Sequence, residues 1–160
     1  MSSISGGLIG FPNPVNEKAA RVVAGLVVLT ALSALLLQAE WLLWLMAFGF
    51  LLRVLSGPRF SPFGLLATRV VAPRLGAPTL VPGPPKRFAQ GLGLAFSLSA
   101  ALCVTLGAAT VGWVLVGLLV VAAVLESVFA VCLGCAIFGR LQRFGLIPDS
   151  VCEACVVASR

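Results

Sequence analysis

The chain has 160 residues, of which 60% are hydrophobic and only 10% are charged. A soluble domain carries about 25% charged residues, so this composition excludes an ordinary water-soluble protein and predicts lipid as the main solvent. There is no His, which excludes imidazole as an acid, base or metal ligand. The net charge of +6 does not indicate a nucleic-acid partner, because the basic residues flank apolar runs, where they set orientation and contact the lipid bilayer.

The first 14 residues do not fit a secretory signal peptide, because they lack a basic start and a long apolar stretch. Four apolar runs follow, each long enough for a helix to cross about 30 Å of hydrocarbon. None alternates as a barrel strand would. We therefore expect an all-α integral membrane four-helix bundle, made of two helical hairpins, within residues 1–138. The predicted helices cover about 20–37, 41–56, 88–106 and 111–135.

All eleven Lys and Arg residues fit on one side of the membrane. The connections 38–40 and 107–110 are short and contain neither residue type, whereas the opposite side carries all eleven. The positive-inside rule then predicts that both termini are cytoplasmic. The expected location is a bacterial inner (cytoplasmic) membrane.

The interfacial loop, residues 57–87, contains a predicted short helix. Ser61 followed by Pro62 is typical of an N-cap and a first helical position, and Pro73 is expected to end the helix. Its apolar stripe predicts a helix lying in the cytoplasmic interface. The stripe consists of Phe63, Leu66, Val70 and Val71.

The tail, residues 139–160, is the only candidate soluble element. Ser150 and Glu153 fit a capping box that would begin a short helix running towards the terminus. Such a helix has fewer than ten residues, so it needs a surface on which to pack.

The cysteines include two Cys-x-x-Cys pairs: Cys132 with Cys135, called the membrane pair, and Cys152 with Cys155, called the tail pair. Their spacing fits a four-thiolate zinc site and equally a dithiol system that exchanges electrons or sulfur. Reduced cysteines without chemistry are a third interpretation. A permanent disulfide is not expected in a reducing cytoplasm. Cys103 stands alone and is interpreted as a packing residue.

The two pairs differ in predicted electrostatics. The membrane pair is expected near the C-terminal end of the fourth helix, where the dipole disfavours a thiolate. Cys152 is expected in the first turn of the tail helix, where the dipole lowers a thiol pKa. Cys152 is therefore predicted to be the better attacking thiol.

Two ionisable residues are predicted within the membrane. Glu126 in the fourth helix and Arg53 in the second would lie at similar depth and could pair as a helix clamp, or contact a proton path or quinone-like ligand. Glu126 and Cys132 are six residues apart, about 120° around a helix, so Glu126 is not expected to act directly on that thiol. Lys86 and Arg87 are interpreted as interface anchors.

Several motifs together resemble a bacterial family of small four-helix membrane proteins known only as a domain of unknown function. The resemblance covers about residues 13–155, and it implies the four-helix fold without an established activity. It also implies an association with thioredoxin-like and sulfurtransferase proteins. The motifs are Asn13-Pro14-Val15-Asn16, Gly57-Pro58-Arg59-Phe60-Ser61-Pro62, Pro85-Lys86-Arg87-Phe88-Ala89-Gln90, Leu125-Glu126 and Cys132-Leu133-Gly134-Cys135.

Two functional hypotheses follow. In the first, the protein is a membrane-embedded thiol/disulfide oxidoreductase or sulfur-relay protein. Its tail pair exchanges with a cytoplasmic thioredoxin-like or sulfurtransferase partner, and its membrane pair exchanges electrons with a lipid-phase carrier, a quinone being one candidate, near Glu126 and Arg53. In the second, it is a non-catalytic subunit or scaffold of a membrane complex, with zinc held by all four cysteines. A homo-oligomer is compatible with both.

Overall fold

The computed structural model describes residues 10–152, and these residues are predominantly helical. Four helices are long and apolar enough to cross a membrane, the second of these spans continuing from α2 to Leu75. This result confirms the all-α class and a membrane protein with four candidate spans. The helices are α1 (Glu17–Leu37), α2 (Glu40–Ser56), α3 (Pro62–Leu65), α4 (Gly83–Thr105), α5 (Ala109–Phe129) and α6 (Leu133–Arg143).

The four long helices form two hairpins, α1–α2 and α4–α5, that pack side by side. Helix α2 packs on α4, α4 on α5 and α5 on α1, so these helices surround one core. That core combines alanines with larger side chains such as Leu43 and Val116, both fully buried. At the end with the short links, the Thr105 hydroxyl donates to the Glu40 carboxylate and joins α4 to α2.

The outer surface of the bundle is apolar. Leu36, Trp41, Phe48 and Leu118 are all largely exposed. A contiguous apolar surface of this kind is expected where lipid replaces water as the solvent. Trp41 lies in the first turn of α2, a position that suits a membrane–water interface.

Basic side chains collect at the opposite end, called the basic end, where α1 and α4 begin and α2 and α5 end. Arg21 of α1 donates to the carbonyl oxygens of Ser127 and Val128 at 3.1 Å each, and Arg87 of α4 donates to the Val54 carbonyl at 3.0 Å. Each arginine therefore satisfies terminal carbonyls of the neighbouring antiparallel helix, which that helix cannot satisfy itself.

The segment after α2 begins as the sequence predicts. Ser61 accepts a hydrogen bond from the Gly64 N–H at 3.5 Å, with Pro62 at the first helical position. The helix then continues through a π-helical turn, Leu66–Val71, and a 3-10 turn, Ala72–Leu75, so the predicted end at Pro73 is slightly early.

The face that this segment packs against α1 is not the apolar stripe that was predicted to lie in the interface. Leu66 and Val70 are exposed, whereas Ala67 and Ala72 are buried. These two alanines pack in one cluster with Ala19 and Val23 of α1. Small side chains allow a close approach between helices. The hydropathy pattern, which is dominated by the larger residues, does not predict this contact.

The prediction of one helix over 111–135 is wrong. Helix α5 ends at Phe129, because Ala130 adopts a left-handed conformation with φ of 57°, and α6 begins after Cys132. Apolar residues run on through Val131 and Leu133, so hydropathy gives no sign of the break. The terminal carbonyls of α5 are taken by Arg21 from another helix.

Two other boundaries also differ from the sequence prediction. Helix α4 begins at Gly83 rather than 88, because prolines are tolerated in a first helical turn, where no N–H bond is required. In the tail, Ser150 lies inside a 3-10 turn, Asp149–Val151, that follows Pro148, instead of capping a helix. The predicted tail helix and Cys155 otherwise fall outside the described residues.

Candidate functional site

Helix α6 is fixed against the first half of α4 at the basic end. Gly134 lies so close to α4 that an added Cβ would be 2.6 Å from the Ala89 Cα. One turn further, the Phe138 ring packs edge-on against Phe88, with ring centroids 5.8 Å apart. These two contacts position the start of α6, and with it both cysteines of the membrane pair.

The membrane pair lies at the N-terminus of α6. Cys132 is the N-cap residue, and its Sγ accepts a hydrogen bond from the Cys135 N–H at 3.3 Å. Both cysteines are free and half-buried. The expectation that this pair lies at the C-terminus of a helix is wrong, because the pair begins α6. The break at Ala130 is the reason for this difference. A helix N-terminus carries partial positive charge, which favours a thiolate.

The two thiols have opposite acidities. A hydrogen bond from the Cys135 thiol, reinforced by the Lys86 charge and the Cys135 N–H, holds the pKa of Cys132 below its ordinary value, against the opposing effects of burial and Glu126. The same thiol–thiol hydrogen bond, together with burial, raises the pKa of Cys135. The arrangement therefore favours a thiolate on Cys132 and a proton on Cys135.

A buried ion pair lies near the membrane pair. Lys86 Nζ is 2.7 Å from Glu126 Oε1, and the two side chains are only 9% and 16% exposed. The predicted pairing of Glu126 with Arg53 is therefore wrong, and so is the interpretation of Lys86 as an interface anchor. The early start of α4 accounts for both differences, because it places Lys86 within the bundle.

Arg53 has a different set of partners. Its Nε donates to Gln90 Oε1 at 2.8 Å and its Nη1 donates to Ser61 Oγ at 3.1 Å. The guanidinium also lies over the Phe50 ring, 4.4 Å from the centroid. Arg53 is therefore held by uncharged groups.

A cavity of about 310 Å³, called the dithiol cavity, lies among α1, α4, α5 and the start of α6. Most of its lining is apolar, with Gln90, Glu126 and Cys132 as the polar and thiol members. Leu118 and Val121 line it and are also exposed on the outer surface, so the cavity borders the lipid-facing side. Glu126 and Cys132 share this cavity because the break after α5 removes the 120° separation expected on one helix.

Cys152 of the tail pair is remote from the membrane pair. The Cys152 carbonyl accepts a hydrogen bond from Gln142 at 3.3 Å, which places it ~15 Å along α6 from Cys132. Cys152 is disulfide-bonded. Within residues 10–152, no three Cys, Asp or Glu side chains group as metal ligands. The four-cysteine zinc site, which needs Cys155, remains a prediction.

Sequence reasoning identified the membrane pair and Glu126, but it missed the roles of Lys86 and Gly134. Lys86 lies in a predicted loop, where a basic residue is normally an anchor. Gly134 is the glycine of the Cys-x-Gly-Cys motif, and only the proximity of α4 explains a glycine there. Neither residue produces a periodic signal.

The fold and the site define a class: a four-helix membrane protein with a free dithiol at the start of a short helix. The family described as Domain of unknown function (DUF4395) matches residues 15–143. The chain belongs to that family. The matched region contains all six helices and the membrane pair, and it ends before the tail pair. No curated protein and no solved structure matches the chain.

Proposed function

We propose that this protein is a membrane-embedded thiol/disulfide oxidoreductase whose working cysteines are Cys132 and Cys135. The observation that carries the proposal is the asymmetry of this pair. Cys132 accepts hydrogen bonds at a helix N-terminus, where its thiolate is favoured, while Cys135 retains its proton. An attacking thiolate beside a protonated second thiol is the arrangement that disulfide exchange requires.

The proposed direction follows from the same asymmetry. A stabilised Cys132 thiolate stabilises the reduced pair. The Cys132–Cys135 disulfide is therefore a stronger oxidant than a disulfide between two ordinary thiols. We expect the oxidised pair to accept two electrons from the dithiol of a cytoplasmic thioredoxin-like or sulfurtransferase partner. Exchange with such a partner requires that the basic end of the protein lie on the cytoplasmic side of a bacterial inner membrane, as the positive-inside rule predicts.

The exchange takes two steps. A partner thiolate attacks Cys132 Sγ, forming a mixed disulfide and breaking the Cys132–Cys135 bond, and Cys135 leaves and takes a proton from solvent. The partner's second thiol loses its proton to solvent. It then attacks the partner's first sulfur, which is bonded to Cys132 in the mixed disulfide, and Cys132 is released as a thiolate. The partner ends as a disulfide, and the membrane pair ends reduced by two electrons.

We propose a quinone-class carrier as the electron acceptor for the reduced pair. The Cys132 thiolate and Cys135 thiol, with a quinone and one proton, give the Cys132–Cys135 disulfide and a quinol. The dithiol cavity supports this step, since it is apolar, borders the lipid-facing surface and has Cys132 in its lining. Gln90 and Glu126 offer polar contacts for a quinone oxygen.

Trapping the mixed disulfide tests the exchange. In Cys135→Ser, the hydroxyl can still donate to Cys132, whose thiolate can attack the disulfide of an oxidised partner and form the same mixed disulfide. No thiol at position 135 can then displace the partner, so the adduct loses one of its two release routes. We expect this variant, with Cys103, Cys152 and Cys155 replaced by Ala, to accumulate Cys132-dependent adducts with cytoplasmic proteins. The matched control, Cys132→Ser in the same background, should accumulate none. Equal adduct formation by the two variants, or its absence from both, contradicts the proposal.

The carrier is tested separately in lipid nanodiscs. Reduced protein should form the Cys132–Cys135 disulfide when a short-chain quinone is added, as measured by a mobility shift after thiol alkylation. Glutathione disulfide is the control oxidant. Oxidation by glutathione disulfide but not by the quinone would leave the exchange reaction standing and remove the quinone. One added sulfur atom on Cys132, detected by intact mass spectrometry, would instead support sulfur relay.

A further inference from the structure

We propose that a second cavity, lined by Arg53, binds an oxyanion group, either of a free inorganic anion or of an anionic lipid headgroup. This cavity, called the Arg53 cavity, has a volume of about 200 Å³ and lies at the basic end. Its role is independent of the thiols, so the inference goes beyond the oxidoreductase proposal.

The charge on Arg53 is buried without an acidic partner among residues 10–152. The residue is only 3% exposed, and its hydrogen bonds go to Gln90 and Ser61, which are neutral. Glu126, which the sequence suggested as its partner, is paired with Lys86 instead. Buried charges in proteins are normally paired, yet no described residue supplies a counter-charge to this guanidinium.

One nitrogen of Arg53 also lacks a hydrogen-bond partner. Nη2 is buried and donates to no acceptor in the part of the chain that the structure describes. Buried polar atoms are almost always satisfied, and an exception calls for an explanation such as an ion or ligand. A guanidinium donates through a planar fork that fits the oxygens of phosphate, sulfate and carboxylate groups.

The lining of the Arg53 cavity has the charge that an anion requires. Arg53 supplies the available positive charge, because Lys86, which also lines the cavity, is already paired with Glu126. The neutral polar members of the lining are Asn16, Thr68 and Gln90. No Asp or Glu is among its described lining residues. The remaining lining is apolar and includes several prolines and alanines, so the cavity would surround a small anionic group rather than a hydrated one.

Thermal unfolding of the full chain in nanodiscs tests the site. In phosphatidylcholine nanodiscs, inorganic phosphate or sulfate is titrated at constant ionic strength against chloride. In parallel, part of the phosphatidylcholine is replaced by phosphatidylglycerol. A ligand that binds only the folded protein raises Tm in a saturable way. We expect such a rise in at least one series, and the series that responds identifies the anion's source.

Variants assign the effect to Arg53. Arg53→Gln should abolish the rise in Tm. Arg69→Gln is the matched control and should retain the rise, because it removes one positive charge from an exposed position at the same end of the bundle. If Arg53→Gln does not fold, Arg53→Lys keeps the charge but loses the fork, and about tenfold weaker binding is expected. No saturable rise in either series, or an unchanged rise in the Arg53 variant that folds, overturns the proposal.

Discussion

At the scale of single residues, the membrane pair is defined by the direction of its hydrogen bonds. Cys132 accepts from the backbone N–H of Cys135 and from its thiol. The acidity of Cys132 therefore depends on Cys135 as a donor, more than on the arginines further along α6. This dependence is the feature on which the proposed exchange chemistry rests.

The first prediction concerns the pH dependence of Cys132 alkylation. Because its folded pKa is lowered, the thiolate should persist below the pH range of an ordinary thiol and be lost only as pH falls through that lowered pKa. Cys135→Ala removes the thiol donor and should move the midpoint to higher pH, whereas Cys135→Ser should largely preserve it. Iodoacetamide alkylation rates are measured with Cys103, Cys152 and Cys155 replaced. Identical midpoints in all three proteins would contradict the assigned hydrogen bond.

The second prediction concerns the ion pair near the thiols. Lys86 favours the Cys132 thiolate and Glu126 opposes it. Lys86→Met should therefore raise the Cys132 pKa and slow alkylation at pH 7 by roughly tenfold, while Glu126→Gln should lower the pKa. Shifts of the same sign in the two variants would show that the effect is indirect.

The same pair has a structural consequence. Removing one member of a buried pair leaves the other charge without a partner, so Lys86→Met should lower the free energy of unfolding by about 3 kcal/mol. The double variant Lys86→Met with Glu126→Gln should recover part of that loss, because no buried charge is left unpaired. Denaturation in mild detergent measures both effects.

At the scale of elements, the site depends on the end of α5. Helix α5 stops at Phe129 and the chain turns through Ala130, so α6 begins where Cys132 can cap it. An uninterrupted helix to Cys135 would place the same two thiols at a helix C-terminus, with reversed electrostatics. A change of backbone conformation at one residue therefore places the pair at the helix end that favours a thiolate.

The third prediction concerns the docking of α6 on α4. Gly134→Ala places a Cβ 2.6 Å from the Ala89 Cα, and backbone cannot move aside as a flexible side chain does. We expect destabilisation of about 1–3 kcal/mol and a changed Cys132 alkylation rate, because the start of α6 must shift. Unfolding and alkylation are measured in parallel.

Gly139 supplies the matched control for this prediction. It lies in the same helix with no atom close to an added Cβ, so Gly139→Ala should be neutral or stabilising, by up to about 1 kcal/mol from helix propensity. If both alanine variants behave alike, the close contact between α6 and α4 does not control the site.

At the scale of the whole molecule, composition and charge determine the environment. The outward surface is apolar, and the described basic residues collect at one end of the bundle, near the membrane pair. This distribution supports the proposed orientation, in which Cys132 faces the cytoplasmic interface.

The fourth prediction tests that orientation. In intact cells, a thiol reagent that cannot cross the membrane should leave Cys132 unlabelled, and labelling should appear after the inner membrane is permeabilised. The other cysteines are replaced so that the signal has one source. A cysteine introduced at Gln38, in the link between α1 and α2, is the control and should label from outside. Labelling of Cys132 from outside would reverse the topology and exclude cytoplasmic partners.

Local features of the chain account for what could be predicted from it. The apolar runs predicted four spans because hydrocarbon thickness sets a helix length that depends only on consecutive residues. Ser61 and Pro62 predicted the start of α3 because capping is also local. The two Cys-x-x-Cys spacings drew attention to the membrane pair for the same reason.

Contacts between distant parts of the chain decided the rest. The sequence by itself determined a membrane-embedded helical protein with a dithiol, since hydropathy, caps and motif spacing act within a few residues. Only the tertiary structure decided that Lys86 rather than Arg53 neutralises Glu126 and that Arg21 takes the last carbonyls of α5. It also decided that Gly134 holds α6 on α4. Each of these depends on which helices become neighbours, a choice made by packing across the whole bundle.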